Sequence, residues 1–173
     1  MNIENEFNIV LPALNSELKK FIKDYRSEFE KIEKRILSPN CYVNHNNGFL
    51  TIYLEHVSDQ NTWIEFKVER REIYINVVGF GYSMWQVANG KKSDFINEVR
   101  EFIQLAFSSD YKKILIYDKN NELIKEKLIW KSKPELEKIS YFGSPNHLIK
   151  KLYISIFKKA DYRTSEINYS KFL

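Results

Sequence analysis

The sequence predicts an α+β fold with the element order α-βββ-α-ββ-α, in which a mostly antiparallel five-stranded sheet packs with helices. Apolar residues recur at three- and four-residue steps in three segments, which is typical of amphipathic helices. They alternate with polar residues in five other segments, which is typical of half-buried strands. These strand-like segments follow one another rather than alternating singly with helices, and this grouping favours α+β. A chain of 173 residues fits a single globular domain over residues 1–173.

The first predicted element is a long amphipathic helix over residues 14–37. Asn15 or Ser16 can cap its start. Pro39 ends it, because the residue before a proline disfavours helical geometry. Its apolar stripe consists of Leu14, Leu18, Phe21, Tyr25, Phe29, Ile32 and Ile36.

Three strand-like segments follow the first helix. They span Phe49–His56, Thr62–Glu69 and Glu72–Val78. One side of each strand carries leucine, isoleucine, valine or phenylalanine, and the other carries tyrosine, tryptophan and charged residues. Because the connections between them are short, we expect an antiparallel meander.

The remaining predicted elements are a second helix, a hairpin and a third helix. They are the helix Asp94–Phe107, the strands Lys112–Asp118 and Glu122–Trp130 joined at Lys119–Asn121, a loop over residues 131–144, and a helix over about residues 145–160. The last dozen residues show no clear periodicity.

Composition limits the class of protein. The chain has 27 basic and 23 acidic side chains, so its formal net charge is only +4. A dedicated nucleic-acid-binding protein usually concentrates more positive charge. Cys41 is the one cysteine and cannot form an intramolecular disulfide. The sequence shows neither a signal-peptide pattern nor an apolar run long enough to span a membrane. We therefore expect a cytoplasmic protein without membrane association.

The glycines near the middle of the chain raise the question of a phosphate-binding loop. The segment GFGYSMWQV starts at Gly79, and a dinucleotide-binding loop would need a third glycine where Met84 stands. A P-loop would need a glycine five residues before Gly90, where Trp85 stands. The glycines therefore favour two turns, and we predict no cofactor.

The sequence contains no catalytic or metal-binding motif. His45, His56 and His147 lack the spacing of zinc ligands. A thiol–imidazole pair involving Cys41 stays open, because folding can assemble one from distant residues. A pair of carboxylates for acid–base chemistry also stays open, among Glu55, Glu65, Glu69 and Glu72. We predict no catalytic residue and no metal site, and expect binding rather than enzymatic activity.

The polar side of the three central strands is the candidate partner-binding surface. It mixes aromatic rings with carboxylates, a composition typical of protein interfaces. The candidate residues are Tyr53, Glu55, Trp63, Glu65 and Tyr74 on the strands, with Tyr82 and Trp85 in the loop that follows. This prediction requires that no helix covers that side of the sheet.

The chain resembles the immunity proteins of bacterial contact-dependent and polymorphic toxin systems. The resemblance lies in its overall form and in lysine-, asparagine- and isoleucine-rich stretches such as DKNNELIKEKLIWKSK. Those proteins are typically small, cytoplasmic, single-domain and α+β, without catalytic motifs. The resemblance implies that this chain binds and neutralises a cognate bacterial toxin by protein–protein interaction. Tyrosine and tryptophan would anchor the partner, and carboxylates would steer a basic toxin domain.

A nucleic-acid-associated binding protein is the alternative. Basic residues along and just beyond the third predicted helix are suited to neutralise phosphates: Lys150, Lys151, Lys158, Lys159 and Arg163. Tyr153 and Tyr162 lie nearby in the sequence and are suited to stack on bases.

Overall fold

The chain divides into two compact units. The computed structural model describes residues 2–46, 48–69, 72–85, 92–108, 110–142 and 162–173. Unit 1 comprises Met1–Ser109 together with Tyr169–Leu173, and unit 2 comprises Asp110–Asn168. Unit 2 is therefore inserted between two parts of unit 1 in the chain. The single domain over residues 1–173 stays a prediction.

Helices form one layer of unit 1. They are α1 (Ile3–Val10), α2 (Ser16–Glu30) and α3 (Lys92–Ser108), with 3-10 turns at Leu11–Ala13 and Lys34–Ile36. Asn15 caps α2, since its side-chain oxygen accepts a hydrogen bond of 2.9 Å from the backbone N–H of Leu18. Within the described ranges, no helix combines the length and apolar character needed to cross a membrane.

A five-stranded antiparallel sheet forms the other layer of unit 1. Its strands are β1 (Tyr42–Asn46), β2 (Phe49–His56), β3 (Asp59–Glu69), β4 (Glu72–Val77) and β5 (Phe80–Trp85). The spatial order is β1-β2-β3-β4-β5, so every strand pairs with its neighbours in the chain. This meander follows from the short connections, which allow only hairpins between successive strands.

The turn between β4 and β5 holds a β-branched residue in left-handed backbone. Val78 has φ 47° and Gly79 has φ 97°, the two positive values that a two-residue type I′ hairpin turn uses. Val78 is buried, and its N–H donates to the carbonyl oxygen of Trp63 at 3.1 Å. The side-chain oxygen of Asn76 accepts from the N–H of Gly79 at 3.0 Å. Burial and these hydrogen bonds hold a conformation that valine rarely adopts.

Aromatic side chains join the helices to one face of the sheet. The ring centroid of Phe29 in α2 lies 5.1 Å from that of Phe66 in β3 and 5.7 Å from that of Phe107 in α3. Phe7 of α1 joins the same cluster at 5.5 Å from Phe29. All four rings are fully buried. This side of the sheet is named the inner face, and the opposite side the outer face.

The segment Tyr169–Leu173 returns from unit 2 to complete the core of unit 1. The side chain of Phe172 is fully buried, and its ring centroid lies 5.9 Å from that of Phe107. The N–H of Phe172 donates to the Phe107 carbonyl oxygen at 2.9 Å. The N–H of Ser170 donates to the hydroxyl of the buried Thr62 at 3.0 Å. Residues far apart in the chain thus close one core.

Unit 2 contains a four-stranded antiparallel sheet. Its strands are β6 (Tyr111–Tyr117), β7 (Leu123–Trp130), β8 (Lys138–Tyr141) and β9 (Arg163–Asn168), and a 3-10 turn at Pro134–Leu136 precedes β8. The spatial order is β8-β7-β6-β9. Asn121 lies in the turn between β6 and β7 with φ 64°, a left-handed conformation that asparagine tolerates.

The α+β class and the antiparallel pairing are confirmed, but the composition of the sheet differs from the prediction. The hairpin predicted at Lys112–Asp118 and Glu122–Trp130 exists, yet it belongs to a second sheet. The first sheet reaches five strands through β1 and β5 instead. The segment of β5 was predicted to be a loop, because Gly79 and Gly81 favour turns there.

The first predicted helix is shorter than residues 14–37, since α2 ends at Glu30. The following residues pair with the end of β2: the N–H of Val57 donates to the Ile36 carbonyl oxygen at 2.9 Å, and that of Ser38 to the Glu55 carbonyl oxygen at 2.8 Å. This tertiary pairing overrides a helical pattern that continues to Ile36.

The remaining differences lie near the two ends of the chain. Sequence periodicity did not indicate α1, β8 or β9, which are short and bury few apolar residues. The third predicted helix, residues 145–160, lies outside the described residues.

Candidate functional site

The outer face of the unit 1 sheet is the candidate functional site. Strand pairing places its side chains in cross-strand rows. One row runs Tyr42–Tyr53–Glu65–Asn76–Gly81, and the next runs Asn44–Thr51–Lys67–Tyr74–Ser83. A further cross-strand pair joins Glu55 to Trp63. The outer face therefore brings aromatic rings and carboxylates together across β1 to β4.

Three aromatic rings form a continuous group on this face. The rings of Tyr42 and Tyr53 stack with centroids 5.3 Å apart and planes 17° apart. The ring of Trp63 lies 6.0 Å from that of Tyr53 at a tilt of 32°. Tyr42 is 44% exposed, and the other two residues are half-buried. Such rings present apolar area to a partner at a low cost in side-chain entropy.

Two of these rings and two carboxylates form a two-by-two arrangement, named here the checkerboard. Tyr53 lies directly opposite Glu65, and Glu55 lies directly opposite Trp63. Cβ atoms of directly opposite residues are about 4.5–5.5 Å apart in an antiparallel pair. Each ring of the checkerboard thus has a carboxylate beside it on the neighbouring strand.

The carboxylate of Glu55 is fixed by three neutral donors. It accepts hydrogen bonds from the Ser38 hydroxyl at 2.7 Å, the Asn40 side-chain amide at 2.8 Å and the Tyr53 hydroxyl at 3.1 Å. The residue is only 8% exposed. Among the described residues, no lysine or arginine forms an ion pair with it. Its charge is therefore held in place by hydrogen bonds alone.

These hydrogen bonds determine the protonation states at the site. The bond from Ser38 is the main cause that lowers the pKa of Glu55; burial opposes it, and the bonds from Asn40 and Tyr53 add to the lowering. Burial, followed by the hydrogen bond to Glu55, raises the pKa of Tyr53 to about 12. At neutral pH the site therefore holds an ionised carboxylate and a neutral phenol.

The thiol of Cys41 is a structural partner of the same strand. Its sulfur accepts from the backbone N–H of Glu55 at 3.1 Å and donates to the carbonyl oxygen of that residue at 3.3 Å. Burial raises the pKa of the Cys41 thiol, which disfavours the nucleophilic thiolate. These contacts support a packing role for the cysteine.

The ring of Tyr74 lies across Gly81 on the neighbouring strand. A Cβ atom placed on Gly81 would approach the Cζ atom of Tyr74 to 2.5 Å and its hydroxyl oxygen more closely still. A glycine is therefore required at this position for the tyrosine to lie flat on the sheet.

Charge on the outer face is predominantly negative. The outward positions of the described strands include four carboxylates, Glu55, Glu65, Glu69 and Glu72, and one lysine, Lys67. Lys67 pairs with Glu65 at 3.1 Å, and about half of its side chain is exposed. Glu69 and Glu72 lie directly opposite each other on β3 and β4. The face therefore suits a basic partner.

The structure brings together five of the seven residues predicted from the sequence to bind a partner. Tyr53, Glu55, Trp63, Glu65 and Tyr74 share the outer face.

The other two predicted residues lie on β5. Tyr82 is on the inner face, 5% exposed, with its ring centroid 4.9 Å from that of Phe102. Trp85 lies opposite Glu72 in the strand pairing, and its side chain is outside the described part of the chain.

Sequence reasoning missed three members of the site. Tyr42 extends the aromatic group, and Ser38 and Asn40 fix the Glu55 carboxylate. The alternation in CYVNHN was a signal for Tyr42, because Val43 is buried while Tyr42 and Asn44 are exposed. No sequence signal links Ser38 or Asn40 to a carboxylate so far along the chain.

The helices of unit 1 pack on the inner face through the Phe7, Phe29 and Phe107 cluster. The described contacts of these helices with the sheet are thus on the side opposite Tyr53, Trp63 and Tyr74. Among the residues that the structure describes, no group of three or more histidine, cysteine or acidic side chains is placed to hold a metal ion. Comparison with protein-family models, curated proteins and solved structures finds no match.

Proposed function

We propose that this chain is an immunity protein that binds a cognate bacterial toxin domain in the cytoplasm and neutralises it by protein–protein interaction. The observation that supports the proposal is the outer face, where Tyr42, Tyr53 and Trp63 form a continuous aromatic group beside the carboxylates of Glu55 and Glu65. Aromatic anchors surrounded by polar groups are the usual composition of an interface hot spot.

The rigidity of the face favours binding of a macromolecule. Its side chains stand on strands rather than on loops, and the stacked rings and the Glu55 hydrogen bonds hold them before any partner arrives. A preorganised surface loses less conformational entropy on association than a mobile one. The negative charge would speed the encounter with a basic partner.

The size of the face indicates what else a complex would require. Five strands spaced ~4.8 Å apart, with about six residues each at ~3.4 Å, give an area of about 500 Å². A stable interface buries about 800 Å² on each partner. The outer face would therefore form the centre of the interface, and residues around its margin would complete it. A toxin covered over this area would lose access to its substrate by occlusion.

Coexpression tests the proposal. The domain to test is any variable C-terminal domain of a large secreted protein that is encoded beside this chain's gene. We expect that domain to arrest the growth of a bacterial host when expressed alone, and coexpression of this chain to restore growth.

A variant pair locates the activity on the outer face. The double variant Tyr53→Ala/Trp63→Ala should lose rescue, and the exposed aromatic control Tyr162→Ala in unit 2 should keep it. Circular dichroism would check that each variant is folded. Absence of rescue by the wild-type chain would contradict the proposed function.

Nucleic-acid binding remains the second candidate because of the charge of unit 2. Residues 110–168 carry 13 basic and 8 acidic side chains, a net charge of +5, whereas the rest of the chain carries 14 and 15. Lys150, Lys151, Lys158 and Lys159 supply four of these charges and lie outside the described residues.

Salt-sensitive binding to an oligonucleotide would support this candidate. Charge reversal at those four lysines should then abolish the binding. No binding by the wild-type chain at low salt would eliminate it.

A further inference from the structure

Among the described residues, the checkerboard has two carboxylates and one neighbouring cation, Lys67, which pairs with Glu65 at 3.1 Å. Lys67 is the only basic side chain at an outward position of the described strands, and it reaches Glu65 from the same strand, two residues away. Glu55 is hydrogen-bonded only to neutral groups within the described residues. The site thus places two carboxylates beside aromatic faces, with one half-exposed lysine at its margin.

We propose that the checkerboard is a receptor for an arginine side chain of the protein partner, whose guanidinium stacks on Trp63 and donates hydrogen bonds to Glu65. This inference rests on the proposed function, since it names the chemistry by which the outer face would recognise a toxin domain. The tilted rings of Trp63 and Tyr53, 6.0 Å apart, provide the aromatic surface. A cation within about 6 Å of such a ring is attracted by its quadrupole.

The two carboxylates have different roles in this receptor. Glu65 is the acceptor, because 17% of its side chain is exposed and its pairing lysine, Lys67, is about half exposed. An ion pair this exposed contributes little, so an arginine can displace the lysine. Glu55 is less exposed, and its oxygens are already occupied by Ser38, Asn40 and Tyr53. It supplies a fixed negative charge behind the rings, which attracts the guanidinium without contacting it.

Arginine fits this arrangement better than lysine. A guanidinium is planar, so that it can lie flat on an indole ring while its edge N–H groups point to a carboxylate. It is also more weakly hydrated than an ammonium group, and therefore loses less on leaving water. Charge-assisted hydrogen bonds to a carboxylate add to the stacking. An anionic ligand such as a nucleic-acid phosphate would be repelled by the same carboxylates.

Side-chain analogues test the receptor without any toxin. Nuclear magnetic resonance of the ¹⁵N-labelled full chain reports the indole N–H of each of its three tryptophans separately. The variant Trp63→Phe assigns the Trp63 signal. The probes are N-acetyl-arginine methylamide, the lysine analogue, and the citrulline analogue, which has nearly the same shape without the charge.

Titration of the Trp63 signal gives a dissociation constant for each probe. We expect the arginine probe to bind at least about tenfold more tightly than the citrulline probe, because citrulline lacks one charge-assisted contact. The lysine probe should bind more weakly than arginine. Glu65→Gln should reduce arginine affinity several-fold, and Glu101→Gln, on the exposed side of α3, should leave it unchanged. Equal binding of arginine and citrulline, or shifts confined to the other two tryptophans, would overturn the inference.

These results separate the receptor from the proposed function. Arginine binding without rescue of growth would support the receptor and reject the toxin partner. Rescue without selective arginine binding would support the toxin partner and reject the receptor. Sedimentation of the free chain adds one further test, because a dimer that blocks the arginine probe would show that a second copy occupies the face and would overturn the inference.

Discussion

The two sheets differ in how they neutralise their acidic side chains. In unit 2, carboxylates pair with lysines on the sheet or beside it: Glu166 with Lys112 at 2.9 Å, and Glu137 with Lys127 at 3.1 Å. On the outer face of unit 1, Glu65 pairs with Lys67 at 3.1 Å, whereas Glu55 has only neutral donors among the described residues. On the outer face one exposed lysine serves Glu65 and no described cation serves Glu55, so the two carboxylates together can still attract a cation from a partner.

Lysine also meets an aromatic ring differently in the two units. In unit 2 the Lys125 ammonium lies 5.2 Å from the ring centroid of Tyr141, so that this ring already has a cation. In unit 1 the rings of Tyr53 and Trp63 contact each other instead. The comparison supports the proposal that unit 1 supplies the recognition surface. Four substitutions test this comparison.

The largest effect is expected from Phe172→Ala. The ring is fully buried against Phe107, so its removal should cost about 3–5 kcal/mol of unit 1 stability. Hydrogen exchange should show the loss at the amides of β2 to β4, with little change at those of β6 and β7. Leu173→Ala is the control, because this neighbour is 50% exposed. A similar loss in both variants would contradict the core role of Phe172.

Gly81→Ala should cost up to about 3 kcal/mol, because the new methyl group would displace the ring of Tyr74. Ser83→Ala is the control on the same strand and face, where the side chain is exposed. Urea unfolding measures both. Adding Tyr74→Ala to Gly81→Ala should remove most of the penalty, since the two residues are in contact. Additive costs would show that the tyrosine does not depend on the glycine.

Glu55→Gln should lower the free energy of unfolding by about 1–2 kcal/mol at pH 7, because its donors lose a charged acceptor. The pKa of Glu55 is lowered in the folded state, so this stabilisation is present above the unfolded pKa of about 4.3. It is lost as the pH falls through the folded value. The difference from wild type should therefore shrink on acidification to pH 3.

Urea unfolding at the two pH values measures the contribution of Glu55. Glu101→Gln serves as the exposed control, with little change at either pH. A difference between Glu55→Gln and wild type that stays constant with pH would show that the Glu55 charge does not contribute.

The smallest effect is expected from Lys112→Ala. Its ion pair with Glu166 involves a partly exposed lysine and a more exposed carboxylate, so the loss should not exceed about 0.5 kcal/mol. A double-mutant cycle with Glu166→Ala measures the pair itself. Partner rescue should be unchanged. A strong loss of rescue would place unit 2 in the interface and reverse the comparison.

The sequence predicts the centre of unit 1 well because β2, β3 and β4 each alternate over several residues. Their inner side chains are aliphatic or aromatic, and this pattern has one natural explanation. β1 and β5 are less apparent, since each depends on its partner strand for most of its hydrogen bonds and apolar contacts. Tyr82 shows the consequence: its pairing with Ile75 places it on the inner face, and only the strand register reveals this.

The candidate site was only partly predictable for a related reason. The aromatic and acidic composition of the outer face follows from alternation within single strands. The lowered pKa of Glu55 instead depends on hydrogen bonds from Ser38 and Asn40, which lie 17 and 15 residues away in the sequence. Both residues follow the 3-10 turn Lys34–Ile36. Contacts at such separations arise from tertiary structure and leave no periodic signal.

The return of Tyr169–Leu173 to unit 1 bears on how such a chain can diversify. Lys112 and Asn168 are paired across β6 and β9, so both junctions of the inserted unit leave from adjacent strands. Because its two ends are close together, unit 2 can be exchanged by recombination, or replaced by a short linker, without a change in the strand order of the unit 1 sheet. New variants of the inserted unit could therefore accumulate while the surface on the host sheet stays intact.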